Sequence, residues 1–211
     1  LAVKQAAQLE TDNIKYRQAL MSFYLQAPGI AGGDVALAEA EANAIETLDP
    51  AKGFMAMASI YQKTDEVKLT AHYAKLEQQF PDNAAVLFNR AMYFQSKEKF
   101  DLAITDFRKI LTIKPTDEED NSLYAALYQL GRTSLLSNDN IEEGIQSLQS
   151  FIETAPTHDS LPSKAWAKYR LGLLYVSQGD KKTAKELYQQ AKNETKDETL
   201  LKNIKKSLKN V

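Results

Sequence analysis

Four prolines divide the chain at nearly regular intervals, and that spacing restricts the fold more than any other feature. Pro50, Pro81, Pro115 and Pro156 lie 31, 34 and 41 residues apart. Each closes a similar phrase: IETLDP, EQQFP, ILTIKP and FIETAP. Proline lacks the amide hydrogen that a helix interior needs, so each one marks a boundary. A period near 34 residues, filled by paired amphipathic segments, signals a helix–turn–helix solenoid. In such an array no unit can hide its apolar stripe alone; neighbours must stack.

Composition agrees with helices. Eight glycines and six prolines in 211 residues leave room for long ones. Leu, Ala, Glu, Gln and Lys dominate, and these lose little side-chain freedom in a helix. β-branched residues are scattered rather than alternating, so strands are not expected. The chain reads as all-α.

The unit beginning at Ala84 shows the pattern. A first helix from Ala84 to Ser96 sets Leu87, Ala91 and Phe94 on one stripe. A second, from Phe100 to Ile113, sets Ala103, Phe107, Ile110 and Leu111 on another. Offsets of three and four stack side chains on a 3.6-residue period. Small Ala103 marks the place where the two helices cross closely. Near the end, Leu171, Gly172 and Tyr175 precede Gly179-Asp180, followed by Ala184, Tyr188 and Ala191. Gly179 suits a turn requiring positive φ, and Asp180 can cap the helix after it.

These residues resemble the tetratricopeptide repeat (TPR) family, whose unit reads W/Y-x2-L-G-x2-Y, then A-x3-F/Y-x2-A, then P. Leu171-Gly172 with Tyr175 matches the first phrase, and Ala184, Tyr188 and Ala191 match the second. The Ala84 unit matches at Leu87, Ala91, Phe94, Ala103, Phe107, Ile110 and Pro115, whereas Arg90 stands where Leu is usual. In the unit ending at Pro156, Gly144 takes the small position. The unit ending at Pro81 is weaker, with Met57, Ile60, Leu69, Tyr73 and Leu76. The resemblance implies a right-handed α-α superhelical solenoid of about five helix pairs over a single domain, 1–211. Its units are expected near 12–50, 51–81, 82–115, 116–156 and 160–196, with a capping helix in 197–211. Eleven helices are expected: 3–26, 34–48, 52–62, 66–79, 84–96, 100–113, 118–137, 141–154, 161–178, 181–193 and 198–209. Candidate caps are Asp49 before Pro50, Asp82 or Asn83, Asn140, Ser160 and a Thr116–Glu119 capping box.

The opening unit departs from the frame. Ala27-Pro28-Gly29-Ile30-Ala31-Gly32-Gly33 is about five residues longer than an ordinary inter-helix turn. It reads as a loop insertion, or as a tip whose Ile30 packs on a partner or on the next repeat. No strand precedes it and no Gly-Lys-Ser/Thr follows, which argues against a phosphate-binding loop. The phrase PGIAGG also resembles uncharacterised bacterial repeat proteins.

The resemblance implies that first helices line a concave face. In the Ala84 unit that face would carry Phe88, Asn89 and Met92; in the next, Tyr124, Tyr128 and Arg132, with Gln129 between them. In the last complete unit it would carry Trp166, Tyr169 and Arg170. Phe88, Tyr128 and Tyr169 share one repeat position, and an exposed aromatic and arginine stripe suits protein recognition. Packing of these rings between neighbouring helices is the alternative. Asn89 matches one position of the terminal-carboxylate clamp that some TPR domains carry. Phe88, Tyr128 and Leu173 stand where its polar donors would be, so an internal peptide fits better.

Charge is uneven although the net is only −2. Residues 1–156 carry 14 Lys and Arg against 22 Asp and Glu, and residues 157–211 carry 12 against 6. The acidic body disfavours nucleic acid, and opposite ends suggest a homo-oligomer as a second reading. No apolar run reaches the ~18–20 residues that span a bilayer, so no membrane insertion is expected. The chain begins at Leu1 with no basic-then-apolar leader, so it is read as cytoplasmic or as a mature periplasmic protein.

Catalytic and cofactor residues are not expected. Cysteine is absent, which removes thiol chemistry and disulfides. His72 and His158 are isolated and make poor zinc ligands. Asp117-Glu118-Glu119-Asp120 suits the first turn of a helix better than a metal. The reading is a non-enzymatic interaction scaffold for a protein or peptide. Self-association, or a non-catalytic module of a larger assembly, is the alternative.

Overall fold

The structure is a computed structural model and describes residues 2–115 and 120–211. Every regular element among the described residues is helical. The chain divides into two compact units, 1–89 and 90–211.

In the first unit, α1 (Ala2–Leu9) and α2 (Ile14–Gln26) replace the single helix expected over 3–26. The Thr11-Asp12-Asn13 run causes the break. Asn13 Oδ1 accepts the amides of Lys15 and Tyr16 at 3.1 and 3.3 Å, starting a new helix instead of continuing the old one. After a short 3-10 turn at Gly29–Ala31, α3 (Val35–Leu48) begins at Asp34, whose carboxylate accepts the amides of Ala36 and Leu37. Gly33 fills a place no side chain could take, since a Cβ there would lie 1.7 Å from the Ala27 carbonyl oxygen. Asp49 caps α4 (Pro50–Thr64) through the Lys52 amide at 3.0 Å, and Pro50 takes the first helical position as expected.

The helix expected over 66–79 is α5 (Glu66–Tyr73) and a single turn, α6 (Leu76–Gln79). Between them the ladder tightens, with the Lys75 amide donating to the His72 carbonyl at 3.1 Å. Leu69, Tyr73 and Leu76 nevertheless all point inward, at offsets of four and three. Helices α2, α3 and α4 pack in succession over Leu20, Met21, Tyr24, Ala42, Ile45 and Ile60. Gly53 sets the α3–α4 approach: a Cβ there would lie 2.3 Å from the Glu46 Cα. Phe54 stacks on His72 at 3.9 Å and meets Phe80 edge-on at 5.1 Å.

Helix α7 (Ala84–Ser96), started by Asn83 accepting the Val86 amide at 3.0 Å, runs through the division. The second unit continues with α8 (Phe100–Ile110), α9 (Ser122–Ser137), α10 (Ile141–Thr154), α11 (Lys164–Ser177), α12 (Lys181–Glu194) and α13 (Glu198–Ser207). The expected Thr116–Glu119 capping box lies outside the described residues. Helix α9 begins at Ser122 among the described residues, where Asp120 Oδ1 accepts the Ser122 amide at 2.9 Å; the expected start at 118 lies outside them. Ser163, not Ser160, caps α11, accepting the Trp166 amide at 3.3 Å. Ser160 bonds His158 instead, at 2.7 Å. Asn140 precedes α10 at a φ of 53° without a side-chain cap bond.

Successive pairs in this unit pack as the repeat requires. Helix α9 lies against α10, α10 against α11, α11 against α12, and first helix α9 also meets first helix α11. Tyr128, Leu148, Phe151, Leu171 and Leu174 form one core, and Tyr169, Ala184, Tyr188, Leu200 and Ile204 another. Small residues mark the crossings: Ala103 is fully buried, and a Cβ on Gly172 would lie 2.6 Å from the Tyr188 ring. Arg90, where Leu is usual, makes a two-pronged ion pair with the buried Asp106 at 2.6 and 2.8 Å. Helix α13 covers the last pair with Leu200 and Ile204, both fully buried. Each such side chain contributes roughly 1.5–3 kcal/mol relative to exposure.

Candidate protein-interaction face

The second unit aligns α9 and α11 side by side, and polar groups run across them. Gln95, at the end of α7, donates from Nε2 to Thr133 Oγ1 at 2.7 Å and to Gln129 Oε1 at 3.3 Å. Arg132 Nη1 donates to the Gln95 and Gln129 side-chain oxygens. Tyr128 and Arg132 are four residues apart on α9 and share a face. Arg170, on α11, donates from Nε to the Tyr128 hydroxyl at 2.8 Å. Its guanidinium lies 5.4 Å from the Tyr128 ring centre and 5.3 Å from that of Trp166, within cation–π range. Trp166 Nε1 in turn donates to Asp197 Oδ2 at 2.9 Å.

The electrostatics follow from this crowding. Burial, and then the charge on Arg170, lower the Arg132 pKa, and Tyr128 opposes them. Asp197 sits below the usual carboxylate value because the Leu200 amide and the Trp166 indole both donate to it. Burial pushes the Tyr188 phenol up to about 12. Among the described residues no buried side-chain polar atom lacks a hydrogen-bond partner.

The family comparison joins this geometry to the repeat. A tetratricopeptide-repeat family profile matches residues 125–158 and 166–194, and a second one matches residues 84–117. These spans coincide with the pairs α7–α8, α9–α10 and α11–α12. The chain is a tetratricopeptide-repeat protein. A solved structure of YrrB, described as a TPR protein with an unusual peptide-binding site, superposes with a TM-score of 0.61. The identity is 17%, and 98% of each chain is covered, so the fold is of the TPR solenoid type. No curated protein matches the chain by sequence. TPR proteins are generally interaction modules without catalysis.

Within the TPR frame the nine candidate residues separate. Phe88 and Asn89 end the first unit, where Asn89 Oδ1 accepts the Tyr73 hydroxyl at 2.9 Å. The second unit holds the other seven. Met92, Tyr124, Arg132, Trp166 and Arg170 are half-buried. Tyr128 and Tyr169 are only 4% and 9% exposed, so the expected solvent-facing aromatic stripe does not form at these positions. Tyr128 leans on Phe151 with ring centres 5.4 Å apart, and Tyr169 lies between Trp166 and Tyr188 at 5.9 and 5.7 Å. Their hydroxyls meet Arg170 and Ser207, so both rings can be covered without stranding a polar group. Gln95 and Thr133 escaped the sequence reading. The signal was a glutamine four residues beyond Ala91 on the buried face of α7, where a polar side chain requires a partner.

Other candidates resolve individually. Ile30 is fully exposed at its loop tip and packs on no neighbouring repeat. His72 is half-buried against Phe54. Asp117, Glu118 and Glu119 lie outside the described residues. Among the described residues no three His, Asp or Glu converge as metal ligands, and no helix is long and apolar enough to cross a membrane.

Proposed function

We propose that this TPR protein is a scaffold binding a protein or peptide, without covalent change, along the face of α9, α11 and the end of α7. One observation carries the reading. Two adjacent first helices present half-buried Tyr124, Trp166, Arg132 and Arg170 on a platform fixed by Tyr128, Gln95 and Thr133. Aromatic and arginine side chains bury large area at small entropic cost, and a preorganised platform reduces the cost of ordering them. YrrB, similar in fold, is described with a peptide-binding site, which supports this use of the architecture. Of the candidate residues the proposal uses those in the second unit.

Selection of random peptides displayed on phage tests it. The chain should enrich peptides, and Met92→Ser with Tyr124→Ser should weaken their binding by about tenfold or more. Far-ultraviolet circular dichroism should show unchanged helicity. Undiminished affinity in a folded double variant would refute this face. Tyr128→Ala and Tyr169→Ala are unsuitable probes, since both would open cavities in the core.

A further inference from the structure

The five arginines of the chain are not equivalent. Arg17 pairs with Glu41 at 2.9 Å, Arg90 with Asp106, and Arg108 with Glu143 through two bonds of 2.7 Å. Arg132 and Arg170 differ: among the described residues neither has a carboxylate partner. Arg132 spends Nη1 on two neutral amide oxygens, leaving Nε and Nη2 without a protein acceptor among those residues. Arg170 spends Nε on the Tyr128 hydroxyl and leaves both Nη groups open in the same sense. The two cations share one face around Tyr128, and the charge on Arg170 adds to burial in lowering the Arg132 pKa. Asp197, the acid at the Trp166 edge, is already engaged by the indole and by the Leu200 amide.

We propose that Arg132 and Arg170 together receive the acidic side chains of a peptide laid across α9 and α11. The proposal rests on the binding reading above and names the chemistry of the partner. A guanidinium offers a planar fork of donors that matches a carboxylate in two-pronged geometry. Two such forks on a half-buried face, with no carboxylate partner among the described residues, are complementary to Asp or Glu. The aromatic surfaces of Tyr124 and Trp166 beside them suit the apolar residues between those acids. Neutralising the pair also relieves the repulsion between the two cations. A side-chain carboxylate and a free chain end share this chemistry, and the test separates them.

The probe is the phage library with peptides fused through their C-termini, which offers side-chain carboxylates only. The wild-type chain should enrich Asp and Glu at fixed spacing from apolar residues. Its affinity for the winning peptides should fall as salt rises. Arg132→Gln with Arg170→Gln should lose the acidic preference and bind those peptides about tenfold or more weakly. Lysine at both positions keeps the charge and should keep the preference, so the idea stays testable if the glutamine variant folds poorly. Enriched peptides without acids, salt-independent binding, or an unchanged acidic consensus in the glutamine variant would each overturn it. Acid preference appearing only in a library with free C-termini would show a chain-end site and overturn it too. Recovery of no peptide from either library would remove the underlying interaction reading as well.

Discussion

The His72 imidazole stacks on Phe54 and donates from Nε2 to the Phe54 carbonyl at 3.0 Å. The carbonyl can only accept, so Nε2 carries a proton, and in the neutral ring this fixes the tautomer. Burial lowers its pKa below 6.5; the Phe54 carbonyl and Glu46 oppose this, and Lys75 adds to it. The folded state therefore resists protonation that the unfolded chain accepts. Its contribution to stability is intact above pH 6.5 and is lost as pH falls through the lower folded value. Melting temperature should fall between about pH 7 and pH 5, and His72→Phe should flatten that part of the profile. A slope unchanged by the substitution would exclude His72 as its source. Arg90 makes a related point: its departure from the usual leucine was visible in the sequence, but its partner Asp106 was not. The half-buried Arg90 pairs with the buried Asp106 carboxylate, and only the approach of α8 identifies that partner.

Helices were legible where both ends carry chemistry. Asp34, Asp49, Asn83 and Asp180 all accept amides of the helix they start, as caps placed before apolar stripes should. Ser160 and Ser163 satisfied the same local rule; Ser160 is engaged by His158, and Ser163 accepts the Trp166 amide. Gly53 drew no notice in the sequence, yet it sets the α3–α4 crossing against the Glu46 backbone. Gly53→Ala should destabilise the protein by ~1–3 kcal/mol or more, because the backbone of a packed helix must move. Gly29→Ala, with no atom within 4 Å of the added Cβ, should change stability by less than ~0.5 kcal/mol. Urea melts of the two variants make the comparison. Equal midpoints would contradict the close approach at Gly53.

At the scale of the molecule, charge is the property sequence reports most directly. The acidic body and basic end remain a reason to examine self-association, the second reading of the function. If copies meet through these ends, light scattering should show oligomers at low ionic strength that dissociate as salt screens them. A mass independent of protein and salt concentration would remove that reading. The repeat, the all-helical class and most boundaries were set by sequence alone, because proline spacing, caps and 3.6-residue periodicity act within a few residues of one another. Which aromatic rings face water was not, since Tyr128 and Tyr169 occupy one repeat position and are covered only when the neighbouring helices arrive. The same holds for the arginine pair. Residues 38 positions apart become neighbours only through stacking, so burial and counter-charge belong to the tertiary structure.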